Sequence, residues 1–286
     1  MVTPKLIECP RDAMQGIDTF IPTDQKVAYL QDLLSVGFDT LDFGSFVSYP
    51  VIPQLRDTAE VLERLDLSTT QTKLLAIVGN LRGAKDACRF DQIDYLGFPF
   101  SISETFQLRN INSTREASLQ RVADIAEQCA KHNKKVVVYI SMAFGNPYGD
   151  PWNRDVVQEW TGKLIEDLGI DIIALADTVG VSNPENIQYL FNALIPHFPK
   201  VEFGAHLHSN PASWKEKVAA AWESGCRRFD AAMKGYGGCP MAEDKLVGNL
   251  ATENLMSYFD EFGIETGLNR DAFGTSIEHA ARVFPV

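Results

Sequence analysis

Short apolar runs alternate along this chain with longer stretches in which apolar residues recur every three to four positions. The first pattern fits strands buried on both faces and the second fits amphipathic helices that cover a sheet. Strands are predicted over 6–9, 40–43, 73–78, 92–96, 135–140, 171–175, 201–206 and 228–231. Helices are predicted over 23–36, 54–65, 83–88, 114–132, 155–168, 184–198, 212–224 and 251–262. Start signals support several of them, such as Asp24 behind Thr23, or Asn183 ahead of Pro184 at a first helical position. Eight strand–helix units in one run predict a parallel (β/α)8 barrel, for which about 250 residues is typical. A further helix over 271–282 is appended, and no Ser/Gly/Pro-rich linker interrupts the chain, so a single domain over 1–286 is expected.

Composition narrows the class. With 286 residues and 45% hydrophobic content the chain can bury a large core. Its formal net charge of -12 argues against a phosphate-backbone partner, so nucleic acid is not expected. The first twenty residues carry Glu8, Arg11, Asp12 and Asp18, and no stretch reaches the roughly 20 apolar residues that span a bilayer. A cytoplasmic protein without membrane association is expected. The five cysteines, Cys9, Cys88, Cys129, Cys226 and Cys239, are scattered and odd in number, fitting reduced thiols better than disulfides or a CxxC zinc site.

Candidate chemistry follows from the barrel, because catalytic residues of this fold come from the C-terminal ends of strands and the loops behind them. Arg11 and Asp12 follow the first strand, Asp42 ends the second, and Asp177 follows the sixth. His206-Leu207-His208 ends the seventh, and alternation along an extended backbone turns both imidazoles to one side. After the eighth strand a long loop carries Gly235-Tyr236-Gly237-Gly238-Cys239-Pro240 and closes on Gly248-Asn249-Leu250. A carboxylate from Asp12, imidazoles from His206 and His208 and an amide oxygen from Asn249 make a plausible coordination sphere. Such oxygen and imidazole donors suit octahedral Mg²⁺ or Mn²⁺ better than a closed structural zinc. Taken singly, each residue has a plainer reading: Arg11 with Asp12 as a rim salt bridge, Asp42 as a solvated loop residue, Asp177 as a turn cap, Cys239 as a small apolar filler, Asn249 as a helix N-cap.

Pro10-Arg11-Asp12 with Gln15, Ser45-Phe46-Val47-Ser48, Ala176-Asp177-Thr178-Val179-Gly180-Val181, His206-Leu207-His208, Gly237-Gly238-Cys239-Pro240 and Gly248-Asn249-Leu250-Ala251-Thr252-Glu253 together resemble the hydroxymethylglutaryl-CoA lyases. Single motifs are shared with the wider superfamily of metal-dependent lyases and condensing enzymes. The Gly-Gly-Cys-Pro loop with the Gly-Asn-Leu-Ala-Thr-Glu run is the part similar to the lyase branch. The resemblance implies metal ligation by Asp12, His206, His208 and Asn249, catalytic roles for Arg11, Cys239, Asp42 and Asp177, and an acyl-CoA substrate. The implied reaction is retro-Claisen cleavage of a 3-hydroxy-3-methylglutaryl thioester to acetyl-CoA and acetoacetate. A homodimer is expected, with the appended helix as its surface. Three positions depart from the family pattern: Asp42 in place of a glutamate, Ser209 in place of an aspartate, and Asp18 in place of a lysine. Two other readings stay open: a Claisen-type enzyme joining an acyl-CoA to a 2-oxo acid, and a barrel that binds metal or acyl-CoA without turnover.

Overall fold

The computed structural model describes residues 3–238 and 247–284. Eight parallel strands, β1 (Lys5–Glu8), β2 (Thr40–Ser45), β3 (Lys73–Ile77), β4 (Ile93–Ser101), β5 (Lys135–Ser141), β6 (Ile172–Ala176), β7 (Glu202–His206) and β8 (Arg228–Ala231), close into a barrel in chain order. Closure is made by β1 pairing with β8, with Lys5 opposite Arg228 and Glu8 opposite Ala231. The expected (β/α)8 architecture is therefore present. Around it lie α1 (Pro10–Gln15), α2 (Thr23–Val36), α3 (Thr58–Arg64), α4 (Leu81–Ala87), α5 (Glu104–Ile111), α6 (Arg115–Lys131), α7 (Arg154–Gly162), α8 (Pro184–His197), α9 (Trp214–Glu223), α10 (Thr252–Glu261) and the appended α11 (Arg270–Val283).

Several boundaries differ from the sequence expectation, each for a local reason. The helix expected over 54–65 is split into a 3-10 turn, Pro53–Leu55, and α3. Gln54 spends its amide on the carbonyls of Ile17 and Thr19 and on the Ile21 N–H, while the Thr58 hydroxyl donates to the Leu55 carbonyl. Such side-chain bonds compete with a continuous helix. Strand β4 runs on to Ser101 because Gly97 through Ser101 pair in register with Val137 through Ser141. Strand β2 likewise continues past Asp42 to Ser45, so Asp42 lies inside the strand rather than at its end. Helices α1 and α5 were not expected; Ser103 starts α5 by accepting from the Phe106 N–H. Asn183 caps α8 as expected, in a reciprocal pair with Asn186.

Two cores divide the molecule. The larger one lies between the barrel and its helices, and a smaller one, Leu75, Ile77, Tyr95, Val137, Tyr139, Ile172 and Ala174, fills the barrel interior on the β3–β6 side. On the opposite side, the interior is polar: Asp42 of β2, His206 of β7, and Arg228 and Asp230 of β8 are all inward by the two-residue alternation of their strands. This asymmetry positions the site. Helix α11 spends its apolar face within the chain, burying Phe273, Ala280 and Val283, and Phe284 beyond it meets Tyr29 of α2 edge-on at 5.5 Å. No helix among the described residues is long and apolar enough to cross a membrane.

Candidate metal centre and its guanidinium

The first strand turns directly into α1, with Pro10 at the first helical position, and this short helix carries Arg11 and Asp12 into the barrel mouth. Asp12, His206 and His208 gather there with one donor atom from each within 4.8 Å of the others. The two imidazole rings lie 5.6 Å apart, as the same-side reading of His206-Leu207-His208 requires. His206 Nε2 faces Asp12 Oδ2 at 4.0 Å.

Asn249 reaches this group through a pairing that has no local signature. Leu250 N–H donates to the Leu207 carbonyl at 2.9 Å and Ser209 N–H to the Gly248 carbonyl at 3.1 Å, so the segment around Asn249 lies antiparallel beside His208. The Asn249 amide then donates to Asp12 Oδ2 at 2.7 Å and to the Tyr236 carbonyl at 2.9 Å. Its N-cap reading fails, because α10 starts at Thr252 behind Ala251. Gly237, with φ +94°, allows this approach: a Cβ there would stand 2.7 Å from the Asn249 amide nitrogen and 2.8 Å from the Asp12 carbonyl.

Arg11 is buried, and its guanidinium is almost fully engaged. Nε donates to both Asp42 oxygens at 3.2 and 3.0 Å, Nη2 to Asp42 Oδ2 at 2.5 Å, and Nη1 to Asp12 Oδ1 and Gln15 Oε1 at 2.9 Å each. Asp42 is thus a buried partner of Arg11, not a solvated loop residue. Its shorter side chain, relative to the glutamate of the family pattern, still meets the guanidinium in a fork. Burial, opposed by the Arg11 charge, pushes the Asp42 carboxyl up to about 6. Burial also opposes ionisation of Asp12, but the charges of Arg11 and His206 and the Asn249 hydrogen bond outweigh it and hold that carboxyl below its usual range.

The two histidines differ in their environments. Burial, with the His206 charge behind it, lowers His208 to about 4, so it is neutral and ready to donate a lone pair. Burial pulls His206 down too, but the hydrogen bond to Asp230 and the Asp230 and Asp12 charges prevail and raise it. Asp230 Oδ2 lies 3.2 Å from His206 Nδ1 and so supplies a carboxylate that orients this imidazole. Ser209, at the position where the family pattern has an aspartate, plays no such part.

Asp177 sits beside the cation group with both oxygens occupied. It accepts from the Ser182 N–H at 2.9 Å, the Ser182 hydroxyl at 2.5 Å and the buried Lys217 ammonium at 3.0 Å. Lys217 also donates to the His208 carbonyl at 2.8 Å. Cys239 lies outside the described residues. Asp18 is exposed on the loop after α1.

Sequence reasoning missed Asp230, Lys217 and Glu8. Glu8 faces away from the barrel interior, taking the Met233 N–H at 2.8 Å and the Thr252 hydroxyl at 2.6 Å, so one buried carboxyl clamps both ends of the loop that carries Asn249. A charged residue inside a strand of buried neighbours was the available signal. Burial pushes this carboxyl up to about 8 against the pull of those two hydrogen bonds. An unfolded glutamate ionises near about 4.3. The folded state holds the proton more tightly, so the associated stability is complete below that value and is lost as pH climbs towards 8. Replacing Glu8 with glutamine, which mimics the protonated acid, is expected to remove a loss of unfolding free energy between pH 5 and 8 on the order of a few kcal/mol, and so to flatten the accompanying fall in Tm. Thermal melts of both proteins across that range measure it.

A closed parallel barrel whose C-terminal mouth gathers two imidazoles, a carboxylate, an amide and a guanidinium falls in the class of barrels whose donors could hold a metal ion. Within that class, the chain belongs to the HMGL-like family, whose profile matches residues 5–277. The hydroxymethylglutaryl-CoA lyase of Bacillus subtilis is 31% identical over 262 residues, which are 91% of this chain and 85% of that protein. A 3-hydroxy-3-isohexenylglutaryl-CoA/hydroxymethylglutaryl-CoA lyase of Pseudomonas aeruginosa is 30% identical over 94% of this chain and 88% of its own. Among solved structures, an HMG-CoA lyase from Acinetobacter baumannii in complex with coenzyme A and 3-methylmalate superposes with a TM-score of 0.90 at 30% identity, covering 98% of this chain and 91% of that one.

Proposed function

We propose that this protein is a carbon–carbon lyase that cleaves 3-hydroxy-3-methylglutaryl-CoA to acetyl-CoA and acetoacetate, or a close 3-hydroxy acyl-CoA analogue to acetyl-CoA and the corresponding 3-oxo acid. The observation that carries this reading is the convergence of Asp12, His206 and His208 with Arg11 at the barrel mouth of a chain in the HMGL-like family. The donor set fits Mg²⁺ or Mn²⁺: one ionised carboxylate, two imidazoles and an Asn249 amide oxygen, without a thiolate. Bound there, such an ion supplies Lewis acidity to the tertiary hydroxyl of the substrate.

The other steps fall to the chain's own residues. Arg11 has one Nη2 proton to spare after its bonds to Asp42, Asp12 and Gln15 among the described residues, and it directs that proton at the thioester oxygen on which enolate charge develops. Asp42 holds the guanidinium plane in place for this task. Asp177 acts through Lys217, which fixes the His208 backbone, and so positions a ligand. The tertiary hydroxyl gives up its proton as the carbon–carbon bond breaks, and Cys239, which follows Gly237 and Gly238 in the sequence, delivers or relays that proton to the enolate carbon to form the acetyl thioester.

The test is an incubation of metal-stripped protein with 3-hydroxy-3-methylglutaryl-CoA, with and without Mg²⁺ or Mn²⁺, following acetyl-CoA and acetoacetate directly. Metal-dependent release of both products in equal amounts is expected. If neither product forms while the protein binds the ion, the lyase reading falls, and acetyl-CoA with 2-oxo acids is the next incubation.

A further inference from the structure

His206 turns its Nδ1 away from Asp12 and towards the buried Asp230. Beneath the Asp12–His206–His208 group, Cys9, His206 and Asp230 also place one donor atom each within 4.8 Å of the others. The Asp230 side chain is wholly buried, and its Oδ1 has no hydrogen-bond partner among the described residues. Cys9 is 1% exposed, and among the described residues its thiol makes one long hydrogen-bond contact, 3.8 Å to the Ile7 carbonyl. A thiol, an imidazole nitrogen and a carboxylate with an unpartnered oxygen thus share one pocket inside the barrel.

We infer that these three residues form a second cation site, selective for thiophilic divalent ions such as Zn²⁺ and Cd²⁺. The two sites differ in hardness: the upper one has oxygen and imidazole donors, and the lower one adds the soft sulfur that such ions prefer. Three carboxylates, Asp230, Asp42 and Asp12, face two guanidinium groups, Arg11 and the buried Arg228 that interacts with Asp230, so the acidic groups outnumber the fixed cations there. Burial first, then the charges of Asp230, Asp42 and Asp12, push the Cys9 thiol up, opposed by Arg11, so the sulfur stays protonated until a cation displaces the proton. Entry is from the barrel mouth, where the His206 side chain keeps 12% of its surface exposed.

Binding is a proton exchange. A carboxylate only accepts, so His206 Nδ1 carries the proton it shares with Asp230. The incoming ion forms bonds to Cys9 Sγ, His206 Nδ1 and an Asp230 oxygen, and the thiol proton and the Nδ1 proton leave to solvent. A neutral imidazole bound through Nδ1 then holds its remaining proton on Nε2, the nitrogen that faces Asp12. The upper site loses a ligand, so a soft ion below antagonises a hard ion above through one shared ring.

The test titrates the intact protein with Cd²⁺ and follows the ultraviolet thiolate-to-Cd²⁺ charge-transfer band, a readout that does not depend on turnover. A band saturating at one ion per chain is expected, absent in C9S and C9A and retained in C129S and C239S. In D230N the affinity should fall at least about tenfold. Mn²⁺ binding to C9S, with an intact upper site, shows that this variant is folded. A band of unchanged amplitude in C9S, or no band in a protein that binds Mn²⁺, overturns the inference. Either result leaves the lyase reading standing, since that rests on product formation.

Discussion

Replacing Arg11 with glutamine is expected to lower kcat by about 100-fold or more, the cost of deleting a donor aimed at developing oxyanion charge. Metal affinity should hold or rise, because a positive charge leaves the neighbourhood of a cation site whose Asp12 it now contacts at 2.9 Å. Stability should fall, since Asp42 loses its buried counter-charge, and breaking such a pair costs about 3–5 kcal/mol when the remaining charge stays unpaired. Protonation limits that loss. The Asp42 carboxyl already stands up at about 6, and without the guanidinium it moves higher and takes a proton at neutral pH. Arg11→Lys separates the two effects: it keeps the charge and part of the stability but loses the fork that fixes the donor, so kcat stays low. Steady-state kinetics, thermal melts and Mn²⁺ titration of both variants measure this, and near-normal turnover in Arg11→Gln would end the enolate role of Arg11.

The barrel was legible because its eight strands are short apolar runs of a kind that only a sheet covered on both faces explains. The rim chemistry was legible by address: once the strands are located, Asp12, His206 and His208 must lie at one mouth. What stayed hidden depends on contacts between distant segments. The ring of His206 meets Asp230 across the β7–β8 seam. Asn249 is brought in by backbone pairing with the stretch after β7, so its identity alone pointed equally well to a helix cap. Lys217 reaches two partners from the middle of a helix whose sequence reads as an ordinary amphipathic one.

The strand pattern also carries a signal for the barrel interior. Strand alternation puts Asp42, Arg228 and Asp230 inside the barrel, where charge is costly unless it is paired. Read that way, the interior divides into an apolar half on β3–β6 and a polar half on β7, β8 and β2, the half above which the cation group sits. The departures from the family pattern also find physical settings. Asp42 is reached by Arg11, and the orienting carboxylate behind His206 comes from Asp230 rather than from position 209. An aspartate at position 18 puts a negative charge on an exposed loop.

His206→Ala is expected to remove Mn²⁺ binding and turnover together, whereas His208→Ala should weaken binding while keeping its pH dependence. The retained pH dependence follows from the protonation of the two rings. His208, lowered to about 4, is already neutral at pH 6 and exchanges no proton when an ion binds. His206 is raised above the ordinary histidine range of about 6.5, so near neutral pH an ion must displace a proton from it. In the unchanged protein, Mn²⁺ affinity should therefore rise with pH from 6 towards 8, by up to about tenfold per pH unit where that proton is still bound. Titrating Mn²⁺ at several pH values across the unchanged protein and both variants checks it. An unchanged protein whose affinity is flat over that range would mean that His206 binds as a neutral ring throughout, and that Asp230 orients it without holding it charged.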